Sequence, residues 1–322
     1  MYSEIMKFYG LKQDFNRAEY FMAEDYERAF DNLKAAIRSG GIIALTGMVG
    51  SGKTSLLRRI QQNLRDEKKI IVSKSLSTDK RRVNVNTLYT ALFSDLVTDK
   101  EFRIPTQPEK RERELQNIIR SLKKPVVLFI DEAHELHHRT LTGLKRLVET
   151  VEDGGGTLAV VIVGHPALGN ELKKPTMEEV GARSKIFHLD GLGNSKRQFI
   201  EWVLDNCQEE KARVQDIFTI EAIDLFAQSL VTPLQIAHYM TRALEKGFQV
   251  GEKPIGVDLV KSILSPDLDS LEPKLTRQGY NLAVLCEVLN ARRSDVKSWL
   301  RGELPAAKAE AFNKEIHKAG VF

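Results

Sequence analysis

The residues whose types and spacing point most directly to chemistry form a glycine-rich run that ends in a lysine and a threonine. Glycine allows backbone angles at which successive N–H groups point toward one anion, and a helix that starts there offers its positive end to the same charge. In such a pattern the lysine reaches the β- and γ-phosphates of a nucleotide and the hydroxyl coordinates Mg²⁺. We therefore predict a site for ATP and Mg²⁺, with Thr54 as a metal ligand, in the run Gly47-Met48-Val49-Gly50-Ser51-Gly52-Lys53-Thr54-Ser55.

A pair of carboxylates provides the second candidate. Asp131 and Glu132 directly follow the apolar run Val126–Ile130. Ligands of parallel sheets collect at the carboxyl ends of the strands, so both side chains are predicted to lie beside the phosphate loop. Asp131 is predicted to hold Mg²⁺, mostly through water, and Glu132 to orient and deprotonate the attacking water. The alternative is a helix N-cap pair, which the neighbouring phosphate loop disfavours.

The elements that must position these residues alternate between strands and helices. Gly40-Gly41 ends a predicted helix over 26–39, and further helices are predicted over 109–122 and 139–151. Short apolar runs predict strands at 42–46, 69–73, 126–130 and 157–163. Such alternation predicts the α/β class, with a parallel sheet that has helices on both faces.

Beyond about residue 190 the pattern becomes helical. Helices are predicted over 195–209, 219–229, 233–247 and 256–264, and the acidic, proline-marked run 265–270 is predicted to be a linker. We therefore predict an N-terminal segment (1–25), an α/β core (26–190), an α-helical lid (191–265) and a small all-α unit (271–322).

Composition limits the function classes. The chain of 322 residues suggests two or three domains, and 42% hydrophobic with 29% charged residues is typical of a soluble protein. The start lacks the features of a secretory signal, and no apolar run approaches the roughly 20 residues that span a bilayer. Cys207 and Cys286 lack metal-ligand spacing and indicate a reducing compartment. The prediction is a cytoplasmic protein without a membrane partner.

Several of these segments together resemble the AAA+ ATPases of the ExeA, TnsC, TniB and MuB type, over roughly residues 1–265. The resemblance lies in the aromatic start Phe8–Leu11 with Tyr20-Phe21, in Leu45–Thr54, in Leu128–His134 and in Val161–Leu168. It implies a P-loop nucleoside triphosphatase of the AAA+ type. It also implies that residues 1–25 lie close to the nucleotide base.

Two further site residues follow from the resemblance alone. His165 stands where the family often has glutamine, in the sensor-1 neighbourhood that touches the γ-phosphate or its water. Arg183 lies in a segment similar to the one that bears the arginine finger, which acts on the nucleotide of a neighbouring subunit. The second match implies self-association into a ring or filament. A surface loop histidine and a surface arginine are the alternatives.

One departure from the family concerns the lid. The family often shows Gly-x-Pro-Arg at the start of a lid helix, whereas this chain has Val231-Thr232-Pro233-Leu234-Gln235. The arginine expected to sense the nucleotide is absent at that position, with Arg242 as a candidate substitute. The departure implies slow hydrolysis.

The C-terminal unit resembles the helix-turn-helix of phage-repressor-like DNA-binding domains. A helix over 282–290 is followed by a turn and a second helix over 294–302, with Ser294 as the predicted N-cap and Trp299 in the small core. From Lys274 onward there are nine basic and five acidic residues, an excess equal to the whole chain's net charge of +4. The second helix would enter the major groove. The predicted DNA contacts are Arg292, Arg293, Ser294 and Lys297.

Together these features favour an ATP-dependent, DNA-binding AAA+ regulator of transposition. Such a protein would assemble on duplex DNA, hydrolyse ATP slowly and recruit a transposase or another recombination protein. One alternative is an ExeA-like ATPase of a secretion assembly. Another is a nucleotide-switch protein whose helical C-terminal unit binds protein, because helix-turn-helix shapes also serve in protein docking.

Overall fold

The structure is a computed structural model that describes residues 2–75, 82–99, 101–210, 213–264 and 270–321. Its strands are β1 Gly41–Thr46, β2 Ile71–Lys74, β3 Val126–Ile130, β4 Leu158–Gly164 and β5 Ser184–His188. Its helices are α1 Tyr2–Tyr9, α2 Glu24–Ser39, α3 Lys53–Glu67, α4 Val85–Leu96, α5 Pro108–Leu122, α6 His138–Asp153, α7 Pro166–Leu172, α8 Glu178–Gly181, α9 Lys196–Cys207, α10 Val214–Ile217, α11 Ile220–Ser229, α12 Pro233–Val250, α13 Val257–Ile263, α14 Leu271–Arg277, α15 Leu282–Val288, α16 Arg293–Leu300 and α17 Ala306–Lys318.

The chain divides into two compact units. We call one the helical unit, which comprises Met1–Glu27, Met48–Gly52 and Asp190–Ile316. We call the other the sheet unit, which comprises Arg28–Gly47, Lys53–Leu189 and His317–Phe322. The domain limits drawn from the sequence stay predictions.

The sheet unit is built on five parallel strands in the order β2-β3-β4-β1-β5. Strands β1, β3 and β4 are buried on both faces, which is why their sequences are unbroken apolar runs. Side chains of one face pack against α4, α5 and α6 in a single core. The predicted α/β class and the four predicted strands are confirmed, with strand ends within two residues of the prediction.

The edge strand β5 was not predicted. Its sequence, Ser184-Lys185-Ile186-Phe187-His188, mixes polar and apolar residues because its side chains are half-buried or exposed. Such a mixed sequence lacks the continuous apolar run by which the other strands were recognised. It pairs with β1, so that Thr46 is opposite His188.

The helical unit contains the helices that the sequence predicted after residue 190. Helices α9, α11, α12 and α13 pack on one another, and α1 lies against α12. The Tyr9 hydroxyl fixes that contact by donating to the Glu252 carbonyl at 2.8 Å. Residues 265–269 of the predicted linker lie outside the described residues.

The C-terminal part of the helical unit has a small core of its own. Trp299 on α16 is only 4% exposed, as predicted, and its indole N–H donates to Asn313 Oδ1 at 3.0 Å. The prediction that Ser294 caps α16 is wrong. The helix begins one residue earlier, at Arg293, and extended backbone at Arg292 makes that residue the N-cap. Ser294 is therefore already inside the first turn.

Candidate functional site

The lysine of the glycine-rich run lies at the first position of α3 in the sheet unit. Lys53 is 7% exposed, and its ammonium donates to the Gly47 carbonyl at 2.8 Å. Burial lowers the pKa of Lys53, while the charges of Glu132 and Asp131 partly offset that effect. A buried cation is expensive unless an anion pairs with it. The lysine is thus placed to gain from an anionic ligand.

The hydroxyl and carboxylate predicted to bind metal lie next to each other. Thr54 Oγ1 is 3.2 Å from Asp131 Oδ2, and the other oxygen of Asp131 accepts the Glu132 N–H at 2.9 Å. They approach because α3 begins just after β1 while Asp131 directly follows β3. Oxygen donors of this kind suit Mg²⁺, which keeps several waters and takes few protein ligands.

Glu132 has unusual backbone angles. Its φ of 54° and ψ of 37° lie in the left-handed region, which non-glycine residues rarely adopt. Such strain of about 1–3 kcal/mol persists where the surroundings fix the conformation, often at functional sites. The side chain is 51% exposed, so its carboxylate is accessible to water.

His165 directly follows β4 and lies beside His134, from the turn after β3. The two imidazole centroids are 3.9 Å apart. Burial lowers the pKa of His165 to about 4, with further lowering from His134 and Lys53. Burial also lowers the pKa of His134, against opposing effects of nearby carboxylates. Both rings are therefore neutral at neutral pH.

A glycine allows this close approach. A Cβ on Gly164 would lie 3.2 Å from the His134 backbone nitrogen and 2.9 Å from Leu168 Cδ2. A larger residue at the end of β4 would push the His134 turn away. The pairing of His134 with His165 was not predicted, because it depends on the register of β3 and β4 and leaves no signal in the local sequence pattern.

The middle of the glycine-rich run, Met48–Gly52, belongs to the helical unit. Gly50 has φ of 79° and Gly52 has φ of 87°, so both need the left-handed region. The Ser51 carbonyl accepts the Tyr26 hydroxyl at 2.6 Å. A Cβ on Gly52 would lie 2.9 Å from the same tyrosine ring.

Two later segments of the helical unit also contact this stretch. The Leu234 N–H at the start of α12 points to the Gly50 carbonyl at 3.4 Å. The Val49 N–H donates to the Arg277 carbonyl at 3.0 Å, at the end of α14. Neither contact was predicted from the sequence. Local patterns contain no signal for them.

The comparisons agree with this geometry. Residues 37–172 match the family model described as AAA domain. Over this region the sheet unit has the α/β fold of an AAA domain. The General secretion pathway protein A of Aeromonas hydrophila is 28% identical over 245 residues, and the match covers 73% of this chain. The matched region is 42% of that relative, so the chain spans about two fifths of the relative's length.

Solved structures show the same AAA+ fold. Cdc6p from Pyrobaculum aerophilum has a TM-score of 0.52 at 18% identity, covering 95% of this chain and 84% of that one. Drosophila ORC bound to DNA has a TM-score of 0.53 at 14% identity, covering 100% of this chain and 79% of that one. At identities this low, the likeness shows a shared fold and nothing more.

Arg183 of the sheet unit does not join the other predicted site residues. It lies between α8 and β5, is exposed, and forms an ion pair with Glu149 on α6. Glu149 also lies 3.9 Å from Lys145, which itself contacts Glu179 at 2.8 Å. The arginine is therefore in an accessible charged cluster. Its role as a finger stays a prediction.

The remaining predicted residues are at the surface. Ser55 is exposed in the first turn of α3, and Arg292, Arg293, Ser294 and Lys297 are exposed around the start of α16. Arg242 on α12 lies over the Tyr239 ring at 5.5 Å. No helix among the described residues is long and apolar enough to cross a membrane.

Proposed function

We propose that the chain binds Mg-ATP through Gly47–Ser55 and hydrolyses it slowly as a switch for assembly on duplex DNA. The observation that carries the ATPase part is the 3.2 Å approach of Thr54 Oγ1 to Asp131 Oδ2, beside a buried lysine. The all-oxygen pair fits Mg²⁺, and the lysine fits a phosphate. A bound Mg²⁺ would neutralise charge on the phosphate oxygens during transfer.

Four residues then have separate roles in hydrolysis. Lys53 exchanges its bond to the Gly47 carbonyl for phosphate oxygens, and Glu132 accepts the proton of the attacking water. His165, neutral at neutral pH, positions that water. Arg183 of one subunit stabilises the charge that develops on the nucleotide of the next, so hydrolysis depends on self-association into a ring or filament.

The sequence at the start of helix α12 supports a slow rate of ATP hydrolysis. Thr232 and Gln235 form a capping box at the start of α12, where the resemblance leads one to expect an arginine. The residue that follows Pro233 is Leu234, whose apolar side chain cannot stabilise phosphate charge as a guanidinium does, so turnover is slow unless Arg242 replaces the missing arginine. A slowly hydrolysing ATPase suits a switch that stays assembled for some time.

The DNA part rests on the C-terminal charges. Arg292 and Arg293 are exposed at the start of α16 and Lys297 is exposed in its last turn, and the region from Lys274 onward holds the chain's excess of positive charge. Exposed basic residues on a small helical unit suit the phosphates and major groove of duplex DNA. We propose that the protein acts in the cytoplasm as a regulator of transposition and recruits a transposase or another recombination protein.

The test measures ATP binding and DNA binding separately. We expect Lys53→Ala to abolish ATP binding and ATP-dependent assembly on labelled duplex DNA. Arg293→Glu should weaken DNA binding about tenfold at low salt and leave ATP binding intact. Lys246→Glu, the same charge reversal at an exposed lysine of α12, should leave both DNA binding and ATP binding unchanged. Absence of DNA binding with ATP and with its slowly hydrolysed analogues at low salt would overturn the DNA part.

A second candidate is ATPase function in a secretion assembly. The observation in its favour is the 28% identity to General secretion pathway protein A. This second candidate assigns the same nucleotide chemistry to the chain as the first and differs only in the partner that the chain binds. ATP-dependent binding to duplex DNA that Arg293→Glu reduces would favour the first candidate, and ATPase activity without DNA binding would favour the second.

A further inference from the structure

Three side chains with metal-ligating atoms meet at the carboxyl ends of β3 and β4. Glu132 and His134 come from the turn after β3, and His165 follows β4. One ligand atom from each lies within 4.8 Å of the other two. We propose that Glu132, His134 and His165 form a site for a transition-metal ion of the zinc type, and that the ion inhibits ATP hydrolysis.

The spacing is close to what such an ion needs. Ligand atoms in tetrahedral zinc sites lie about 2.0–2.1 Å from the metal and hence roughly 3.4 Å from one another. His134 Nδ1 is 3.5 Å from Glu132 Oε2, and the imidazole planes meet at 48° with centroids 3.9 Å apart. Small side-chain rotations therefore bring the three donors to bonding distance.

The imidazole nitrogens support the proposal independently. Nδ1 of His134 and Nδ1 of His165 are both buried and both lack a hydrogen bond. A buried polar atom left unsatisfied costs about 1–3 kcal/mol, and most such atoms in proteins have a partner. A metal ion bound by both nitrogens would give each of them a partner.

The donor set selects the kind of ion. Two imidazoles and a carboxylate suit Zn²⁺ and Co²⁺ and leave a fourth position for water. Mg²⁺ prefers oxygen ligands, which Thr54 and Asp131 supply. The chain thus offers two neighbouring sites of different chemistry that do not compete for the same metal.

Occupation of the site has a consequence for Glu132. A carboxylate bound to a metal ion gives up the lone pair with which it would accept the proton of the attacking water. Zinc would therefore block hydrolysis without displacing the nucleotide. This inhibition rests on the proposed role of Glu132 as the base, whereas the metal site itself does not.

The metal site is tested by titrating the full chain, freed of any affinity tag, with Co²⁺ alone. We expect the visible absorption of tetrahedral Co²⁺ to saturate at one ion per chain and to disappear when Zn²⁺, the more tightly bound ion, is added. His134→Gln and His165→Gln should lose this signal. His138→Gln, the same change at an exposed neighbouring histidine, should keep it.

Thermal unfolding without metal shows that each variant is folded, and Zn²⁺ should raise the melting temperature of the unaltered chain and not of the two cluster variants. Absence of the Co²⁺ signal, or its survival in both cluster variants, would overturn the site in favour of a bound water only.

Inhibition is measured as ATP turnover with and without Zn²⁺ at constant Mg²⁺, alongside ATP binding. We expect turnover to fall at least tenfold while ATP binding persists. A Co²⁺ signal without inhibition would overturn the inhibitory role and leave the site standing. Absence of turnover before zinc is added would contradict the proposed ATPase function instead, and the Co²⁺ titration alone would then decide the metal site.

Discussion

Arg183 and Glu149 form an ion pair within the sheet unit, between the end of α8 and helix α6. The arginine predicted to act on a neighbouring subunit is thus held by a carboxylate of its own chain. Both side chains are at least one-third exposed, so the pair is an accessible one. Exposed ion pairs contribute about 0.2–1 kcal/mol, which is small enough for a phosphate to compete.

The first prediction concerns release of that arginine. Glu149→Gln should raise ATP turnover of the assembled protein up to about fivefold, the equivalent of the 0.2–1 kcal/mol that the pair contributes. The measurement is turnover as a function of protein concentration, because an arginine that acts in trans matters only in contact with a neighbour. Arg183→Ala should remove the concentration dependence.

The matched control is Glu179→Gln. Glu179 belongs to the same charged cluster and pairs with Lys145 rather than with Arg183. Its neutralisation changes the net charge equally and should leave turnover unchanged. Equal effects of Glu149→Gln and Glu179→Gln would indicate that general charge, and not the release of Arg183, is responsible.

The second prediction concerns Thr54, which is predicted to be a ligand of Mg²⁺. Thr54→Ala removes a hydroxyl from the predicted Mg²⁺ site and should weaken Mg-ATP binding about tenfold, whereas Thr54→Ser keeps the oxygen and should bind nearly as well. The measurement is ATP affinity with Mg²⁺ and with EDTA. If both variants lose the same affinity, or if EDTA makes no difference, Thr54 is not a metal ligand.

How far the sequence predicts this molecule depends on how local each feature is. Strands β1, β3 and β4 were predictable because burial on both faces leaves an apolar run in the sequence. The edge strand β5 was not, since half-exposed side chains blur that pattern. The cap of α16 was wrong by two residues, because Ser294 has a suitable side chain but Arg292 has the extended backbone.

The residues of the candidate site also fall into those that a local pattern predicts and those that it does not. The spacing of the glycine-rich run predicted Lys53 and Thr54, and the position after an apolar strand predicted Asp131. The structure brings the three residues together around the start of α3. The contact between His134 and His165 depends on how β3 and β4 are aligned, and the pair of Arg183 with Glu149 depends on how α6 and α8 pack. Tertiary packing of that kind has no counterpart in a local sequence pattern.

The third prediction concerns Gly50. Its φ of 79° is costly for any residue with a Cβ, by about 1–2 kcal/mol. An added Cβ would also lie 2.5 Å from Leu234 Cβ and 3.0 Å from Thr232 Oγ1. Gly50→Ala should therefore displace α12 from this stretch, and it should lower both the free energy of unfolding and the affinity for ATP.

The control for this change is Gly155→Ala. Gly155 has a similar φ of 76°, and nothing lies within 4 Å of its added Cβ. That variant measures the backbone strain without the steric clash. A loss of stability no larger in Gly50→Ala than in Gly155→Ala, measured by urea unfolding, would mean that the contact with Leu234 and Thr232 is unimportant.

The fourth prediction is a pH dependence of stability that arises from His165. Its pKa is about 4 in the folded chain and near 6.5 when the chain is unfolded. Between these values the unfolded state binds more protons than the folded state, so this stabilisation is present above about pH 6.5 and is lost as the pH falls toward 4. His134 acts in the same direction, because its pKa is also lowered.

The size of the effect follows from the shift and from solvent screening. The full shift corresponds to roughly 3 kcal/mol, and partial exposure of the ring reduces the expected contribution to about 1 kcal/mol. In EDTA, the free energy of unfolding should fall between about pH 7 and about pH 5 in the unaltered chain. In His165→Gln that fall should be smaller by about 1 kcal/mol. His138→Gln should behave like the unaltered chain, because that histidine is exposed. Identical pH profiles for all three proteins in urea unfolding would show that the His165 imidazole titrates normally and is open to water, so that it is not buried against His134.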